Sequence, residues 1–164
     1  MAATTFFDTL AIFGAQYLYL VLLTAALIWY LCQSRSRQIE MIAWGVVALP
    51  LMYLLLIVAG ALYFDARPPY SDNITPLIVH DPDNGFPSDH TLLCSATSSI
   101  VFFYNKRFSA VLWIITALVG FSRVYTGIHH TVDIIASVIL AVGVSILVWK
   151  LVLPRIKSLP AYGW

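Results

Sequence analysis

Three short polar stretches in this 164-residue chain carry the side chains that could perform chemistry. They are Asp65-Ala66-Arg67-Pro68, Phe86-Pro87-Ser88-Asp89-His90, and Ser122-Arg123 followed by His129 and Asp133. Guanidinium groups donate hydrogen bonds to phosphate oxygens, an imidazole can attack or give up a proton, and a carboxylate can orient an imidazole. Two arginines, two histidines and a carboxylate therefore suit a site that transfers a phosphoryl group without a metal ion.

The third stretch carries the most specific signal. His129 and Asp133 are four residues apart at the start of a predicted helix, so their side chains can lie on one face. Asp133 can then accept a hydrogen bond from one imidazole nitrogen and leave the other nitrogen as a nucleophile. An interfacial hydrogen bond without catalysis is the simpler alternative. The adjacent His130 is predicted to point elsewhere and to take no part.

A metal site is another alternative for these residues. Its possible ligands are His90, His129, His130 and Asp133. Two guanidinium groups in the same pocket argue against it, since they would repel a dication. We therefore predict a site with neither metal nor cofactor, in which Arg67 and Arg123 hold the phosphate and neutralise its developing charge. Either arginine alone could instead extend toward lipid headgroups.

The second stretch opens another predicted helix. Ser88 follows Pro87 and is a good N-cap residue. The free backbone N–H groups and the helix dipole attract an anion to such an end, so we assign Ser88 and Asp89 to the substrate-binding set. His90 is the predicted general acid that protonates the leaving oxygen. The simpler reading is that Ser88 and Asp89 only cap the helix.

The composition indicates what must position these stretches. The chain is 60% hydrophobic and 10% charged, with a mean hydropathy of +0.85, whereas soluble domains are about 25% charged. It is therefore predicted to be an integral membrane protein. A formal net charge of +1 argues against nucleic acid as a partner. The first apolar segment lacks a basic leader and is expected to be retained, and Cys32 and Cys94 are expected to be core residues.

Five apolar segments approach the roughly 20 residues that a membrane-spanning helix needs. They cover about residues 10–32, 39–64 (with a kink expected at Pro50), 88–104, 108–123 and 131–153. Asn105-Lys106-Arg107 would form a tight turn between the third and fourth. The sequence thus predicts one domain over residues 1–164, an all-α bundle of about five transmembrane helices.

Basic residues orient this bundle. Seven of the nine fall on one side, which the positive-inside rule makes cytoplasmic. They are Arg35, Arg37, Lys106, Arg107, Lys150, Arg155 and Lys157. The two exceptions, Arg67 and Arg123, belong to the polar stretches. A basic residue on the side of the membrane that usually has few of them suggests a functional partner. All three stretches are therefore predicted at the helix ends of the outer face.

The three stretches resemble the signatures of the type 2 phosphatidic acid phosphatase superfamily, the lipid phosphate phosphatases. Those signatures read K-x6-RP, PSGH and SR-x5-H-x3-D. The third is complete here, the second occurs as Pro87-Ser88-Asp89-His90, and the first survives as Arg67-Pro68. Gly60 stands at the position of the family lysine, and Asp89 replaces the family glycine. The resemblance implies a phosphohistidine formed on His129, with His90 as acid.

The segment from Asn84 to Thr91 looks like the bacitracin-resistance type of undecaprenyl-diphosphate phosphatase, in which the PSDH form is familiar. That resemblance implies hydrolysis of undecaprenyl diphosphate to the monophosphate, on the outer side of a bacterial plasma membrane. The expected partner is thus a polyprenyl or phospholipid substrate. Alternatives are a phosphatidylglycerophosphate or phosphatidic acid phosphatase, a lipid phosphotransferase, and a non-enzymatic transporter. The transporter is disfavoured because the ionisable groups cluster at one face.

Overall fold

The structure is a computed structural model that describes residues 5–72 and 74–157. Helices account for nearly all of its regular structure. They are α1 (Phe6–Gln16), α2 (Leu18–Leu31), α3 (Arg35–Leu62), the short α4 (Pro68–Ser71), α5 (Asp89–Tyr104), α6 (Lys106–Tyr125), α7 (Thr131–Leu147), a π-helical turn (Val148–Val152) and α8 (Leu153–Lys157). Within the described ranges strand pairing is limited to an isolated bridge between Ala66 and Asn84. The predicted all-α membrane fold is confirmed.

Within residues 5–72 and 74–157, three helical units are long and apolar enough to cross a membrane: Arg35–Leu62, Lys106–Tyr125 and Thr131–Arg155. A fourth crossing results if α1 and α2, which meet at a 50° bend, form one broken span. The predicted third span corresponds to α5, which has only 16 residues. At 1.5 Å per residue α5 is about 24 Å long, shorter than a bilayer core of about 30 Å. The predicted turn at residues 105–107 is shorter than expected, since Asn105 alone separates α5 from α6 and its side chain accepts from the Phe108 N–H.

Helix α5 lies at the centre of the bundle, where it packs against α2, α6 and α7. Its buried side chains are mostly small, which allows neighbouring backbones to approach closely. Hydroxyl groups hydrogen-bond across the α5–α6 contact: Ser98 Oγ lies 3.0 Å from Thr116 Oγ1, and Ser109 Oγ donates to the Ser98 carbonyl at 2.8 Å. Cys94 is buried in this core as predicted, but Cys32 is exposed at the end of α2, so its predicted core position is wrong.

The outward faces carry large apolar side chains, including Val46, Ile114 and Ile139, as expected for surfaces that meet lipid. Two glycines bring helices unusually close together. A Cβ on Gly14 of α1 would lie 2.2 Å from Ser122 Oγ of α6, and one on Gly120 of α6 would lie 2.7 Å from Ile134 Cγ2 of α7. These contacts hold α1 and α7 against the end of α6 that carries Arg123.

Candidate active site

The His129 imidazole lies at the centre of the polar site, between a carboxylate and two guanidinium groups. Its Nδ1 is 3.1 Å from Asp133 Oδ2, and its Nε2 is 3.1 Å from Arg123 Nη2 and 3.4 Å from Arg67 Nη1. The exposed fractions of Arg67, Arg123, His129 and Asp133 are 7%, 5%, 2% and 0%. Residues 62 positions apart in the chain thus meet in one buried cluster.

These contacts assign the imidazole tautomer. A guanidinium group has only donors, so Nε2 of His129 must be the acceptor toward both arginines. The proton then resides on Nδ1 and is donated to Asp133. Nε2 therefore keeps its lone pair and lies where an anion held by two guanidinium groups would come within reach.

Local structure explains how His129 reaches this position. Gly127, with a φ of 76°, follows the end of α6, and its Cβ would lie 3.3 Å from Ile74 and Pro76. That positive φ favours glycine and turns the chain so that residues 128–130 bridge α6 and α7. Asp133, in the first turn of α7, also accepts from the His130 N–H at 2.9 Å. The same Oδ2 therefore orients His129 and caps the helix, while Oδ1 has no hydrogen-bond partner among the described residues.

Each arginine is oriented by acceptors from elsewhere in the chain. Arg67 Nε donates to Asp83 Oδ1 at 2.5 Å, and its Nη1 donates to the Ile128 carbonyl at 2.8 Å. Arg123 Nη1 donates to the carbonyl of Ala15 in α1 at 3.1 Å. Bonds of this kind fix the planes of the guanidinium groups before any substrate arrives.

The Ser88-Asp89-His90 stretch lies next to this cluster. Asp89 Oδ1 is 4.0 Å from Arg123 Nη2 and 2.7 Å from His90 Nδ1. The His90 ring also packs edge-on against Tyr19, with ring centroids 4.6 Å apart. Asp89 therefore links His90 to Arg123.

Ser88 occupies the predicted N-cap position of α5, but its side chain makes no capping hydrogen bond. Its buried hydroxyl donates to Thr91 Oγ1 at 3.2 Å, and its carbonyl accepts from Ser137 Oγ of α7 at 2.7 Å. In this arrangement Ser88 joins α5 to α7. Contact of its side chain with a phosphate would require the hydroxyl to rotate away from Thr91.

His130, which the sequence predicts to take no part in catalysis, contacts two acidic side chains. Its Nδ1 lies 3.1 Å from Asp65 Oδ2 and its Nε2 lies 3.2 Å from Asp72 Oδ2. The expectation that it points away from His129 is met, but it points into a second polar cluster. Sequence reasoning missed Asp65, Asp72 and Asp83 as partners. The available signal was the density of acidic residues in the loop on the predicted outer side.

Gly60, which stands at the position of the family lysine, is closely packed against the loop before α5. The Gly60 carbonyl accepts from Asn84 Nδ2 at 2.8 Å, and a Cβ at Gly60 would lie 3.0 Å from the carbonyl oxygen of Phe86. Asn84 Oδ1 in turn accepts from the N–H groups of Asp65 and Phe86, both at 3.0 Å. The loop before α5 therefore packs where a longer residue at position 60 would begin.

Burial and charge shift the ionisation of the site residues. Burial lowers the pKa of His129, and the charges of Arg123 and Arg67 lower it further, against the opposing hydrogen bond to Asp133. The hydrogen bond from Arg67 lowers the pKa of Asp83. Burial raises the pKa of Asp65. The neutral form of the His129 imidazole is thus favoured.

One group of side chains has the composition of a cation site. Ligand atoms of Asp65, His130 and Asp133 lie within 4.8 Å of one another. Both imidazole nitrogens of His130 already face carboxylates, and Asp133 Oδ2 already accepts two hydrogen bonds. A cation would have to displace these bonds.

Fold and site together define an all-helical membrane protein with a buried histidine flanked by two arginines. Residues 42–157 match the PAP2 superfamily. The undecaprenyl-diphosphatase BcrC of Bacillus subtilis is 32% identical over 146 residues, covering 87% of this chain and 74% of that protein. The bacitracin transport permease protein BcrC of Bacillus licheniformis is 30% identical, covering 79% of this chain and 64% of the relative. This chain belongs to the PAP2 superfamily.

Solved structures share the fold. LpxE of Aquifex aeolicus superposes with a TM-score of 0.67 at 20% identity, covering 91% of this chain and 88% of that one. A transmembrane PAP2-type phosphatidylglycerolphosphate phosphatase from Bacillus subtilis superposes with a TM-score of 0.59 at 17% identity, covering 97% and 81%. The helix arrangement of this chain is thus that of these two structures.

Proposed function

We propose that this protein hydrolyses undecaprenyl diphosphate to undecaprenyl phosphate and inorganic phosphate, and so recycles the carrier lipid of cell-wall synthesis. The observation that carries the proposal is the position of His129 Nε2, unprotonated and within 3.4 Å of both guanidinium groups. The undecaprenyl-diphosphatase BcrC of Bacillus subtilis, which is 32% identical to this chain, supports the choice of substrate. The proposed location is a bacterial plasma membrane, with the site on the outer side.

The first chemical step is attack by His129. Arg67 and Arg123 bind the terminal phosphoryl group, and Nε2 forms a bond to its phosphorus. The bond from phosphorus to the bridging oxygen breaks, and His90 gives that oxygen a proton as undecaprenyl phosphate leaves. Asp133 stabilises the positive charge that develops on the His129 ring. The two guanidinium groups offset the charge on the equatorial oxygens.

The second step releases phosphate. Water attacks the phosphorus of the phosphohistidine, and His90, now unprotonated, accepts a proton from that water. The bond between phosphorus and Nε2 breaks, which returns the lone pair to His129. Every step uses side chains of this chain alone, so we propose that catalysis needs no metal ion.

A groove beside Asp89 supports a lipid as substrate. It has a volume of about 360 Å³ and lies between α3 and α5, lined by apolar side chains such as Met52, Leu56 and Leu92. A second apolar groove, of about 390 Å³, shares Leu49 and Leu93 with it and extends toward Trp44 and Ile100. An isoprenoid chain could therefore lie along α5 while its diphosphate reaches Arg123.

Phosphate release from undecaprenyl or farnesyl diphosphate in detergent, with excess EDTA, tests the proposal. We expect turnover to persist in the chelator and to be abolished in His129→Ala. Loss of turnover in EDTA that returns with added metal would overturn the metal-free mechanism. A parallel assay with phosphatidylglycerophosphate tests the substrate, and a clear preference for that lipid over prenyl diphosphates would overturn the assignment.

A further inference from the structure

We propose that His130 is a positioning residue: as an imidazolium it clamps the segment that carries Arg67 onto the start of α7, and so sets the affinity of the site for phosphate. The proposal rests on the proposed function, because it assumes that Arg67 binds the phosphoryl group. His129 cannot perform this role, since its ring contacts Asp133 and the two arginines instead of Asp65 and Asp72.

The clamp joins residues on both sides of Arg67. Asp65 lies two residues before Arg67 and contacts His130 Nδ1 at 3.1 Å, whereas Asp72 lies five residues after it and contacts His130 Nε2 at 3.2 Å. Ser71 Oγ lies 3.3 Å from the same Nε2. The loop is therefore held at both ends by one ring.

The backbone of His130 is fixed to the start of α7, beside His129. His130 is the N-cap of α7, and its backbone N–H donates to Asp133 Oδ2, the oxygen that also orients His129. Arg67 completes the link, because its Nη1 bonds to the Ile128 carbonyl. The distance between Arg67 and His129 is thus set from two sides, through Ile128 and through His130.

The two closest side-chain contacts of the ring are with carboxylates, which accept hydrogen bonds when ionised. A neutral imidazole has a single N–H, whereas an imidazolium can donate from both nitrogens. Here both nitrogens face carboxylates, Asp65 and Asp72, and the carboxylate of Asp133 lies on the backbone side. The hydrogen bonds from Ser71 and His130 lower the pKa of Asp72, which keeps that partner ionised. An imidazolium is the form of the ring that can donate to both partners at once.

The clamp also separates two carboxylates that would otherwise repel each other. Asp65 and Asp133 both approach His130, and the pKa of Asp65 is raised chiefly by burial and then also by the charge of Asp133. A cation between them offsets that repulsion. Without the charge on His130, Asp65 would move away from α7, and Arg67 would move with Asp65.

The decisive measurement separates phosphate affinity from chemistry. For His130→Ala we expect the KM for farnesyl diphosphate and the inhibition constant of inorganic phosphate to rise about tenfold, with kcat changed less than about threefold. His130→Arg keeps a cation with two donor nitrogens and should recover most of the affinity. Unchanged KM and inhibition constant in a folded His130→Ala protein would overturn the proposal.

Asp72→Asn provides a second variant, because Asp72 is largely exposed and its change should not prevent folding. It should weaken phosphate binding in the same direction, and the double variant with His130→Ala should be no worse than His130→Ala alone. Asp81→Asn, an exposed carboxylate of the same outer loop, is the matched control and should leave both constants unchanged. Additive effects of the Asp72 and His130 variants would contradict the clamp.

Binding of inorganic phosphate can be followed without turnover, so these tests remain informative even if the proposed substrate is wrong. Failure of the proposed function would appear instead as full turnover in His129→Ala.

Discussion

Arg123 donates a hydrogen bond to the backbone carbonyl of Ala15, 108 residues earlier in the chain, at 3.1 Å. Ala15 lies in the last turn of α1, just before the 50° bend into α2. Carbonyl groups in a last helical turn lack partners further along their own helix, so the bend provides an acceptor for a guanidinium group. The other terminal nitrogen of Arg123 faces His129. Helix α1 therefore shapes the site through its backbone, although it contains none of the three polar stretches.

Gly14→Ala should disturb this relationship. The new Cβ would lie 2.2 Å from Ser122 Oγ and 2.9 Å from Ser122 Cβ, so α1 must move away from α6. We expect kcat/KM to fall about tenfold to a hundredfold as Arg123 loses its orientation, and the free energy of unfolding to fall by about 1–3 kcal/mol. Phosphate-release kinetics and thermal unfolding in detergent measure the two effects.

Gly143→Ala is the matched control, since a Cβ there meets nothing within 4 Å. It should leave kcat/KM unchanged and stabilise α7 by about 0.5–1 kcal/mol. Adding Ser122→Gly to Gly14→Ala removes the clash and should restore activity. Parent-like kinetics in Gly14→Ala would show that Arg123 does not need α1.

The acidic limb of the pH–rate profile should lie below the ordinary pKa of histidine. Burial lowers the pKa of His129, and the charges of Arg123 and Arg67 lower it further. Attack requires the unprotonated Nε2, so activity should persist as pH falls below about 6.5. In Arg67→Gln one of the two charges is lost, and the limb should move to higher pH.

That shift is measured from kcat/KM as a function of pH for both proteins. Ionisation of the substrate is the same in the two assays, so the difference between them reports on the enzyme. An identical limb in Arg67→Gln would indicate that the limb belongs to the substrate rather than to His129.

Local sequence spacing predicted the part of the site that lies within one stretch. His129 and Asp133 are separated by one helical turn, so their hydrogen bond follows from helix geometry. Apolar segment lengths likewise located α3, α6 and α7 to within a few residues, because a bilayer sets the length of a span. The bend between α1 and α2 carries no such signal, since Gln16 and Tyr17 differ little from their surroundings in helix preference.

The contacts that orient the arginines could not be predicted in the same way. Arg67 pairs with Asp83, 16 residues later, and His130 pairs with Asp65, 65 residues earlier. The loop between α3 and α5 contains several acidic residues, and only the path of the backbone decides which of them meets which cation. The contact between Arg123 and Ala15 could not be predicted from the sequence either, because its acceptor is a backbone carbonyl that any residue could supply.

Asp133→Asn should separate binding from chemistry. The amide oxygen can still accept from His129 Nδ1 and from the His130 N–H, so the geometry should persist. The negative charge that stabilises the developing imidazolium is lost, and kcat should fall about 10²–10⁴-fold. The inhibition constant of inorganic phosphate should change less than about threefold, because neither arginine contacts Asp133. A parallel loss of phosphate binding and of activity would instead indicate a structural role.

Asp83→Asn should strengthen phosphate binding. Asp83 takes the Nε donor of Arg67 at 2.5 Å, and its side chain is 51% exposed, so an arriving phosphate must compete with a carboxylate for the same guanidinium group. The hydrogen bond from Arg67 lowers the pKa of Asp83, so the carboxylate is ionised at neutral pH, and its stabilising effect is lost only as pH falls through that lowered pKa. With the charge removed, the Ile128 carbonyl still orients Arg67. We expect the inhibition constant of inorganic phosphate to fall about threefold to tenfold near pH 7, with Asp81→Asn unchanged as control. A higher inhibition constant would show that the orientation of Arg67 by Asp83 outweighs the competition of Asp83 with phosphate.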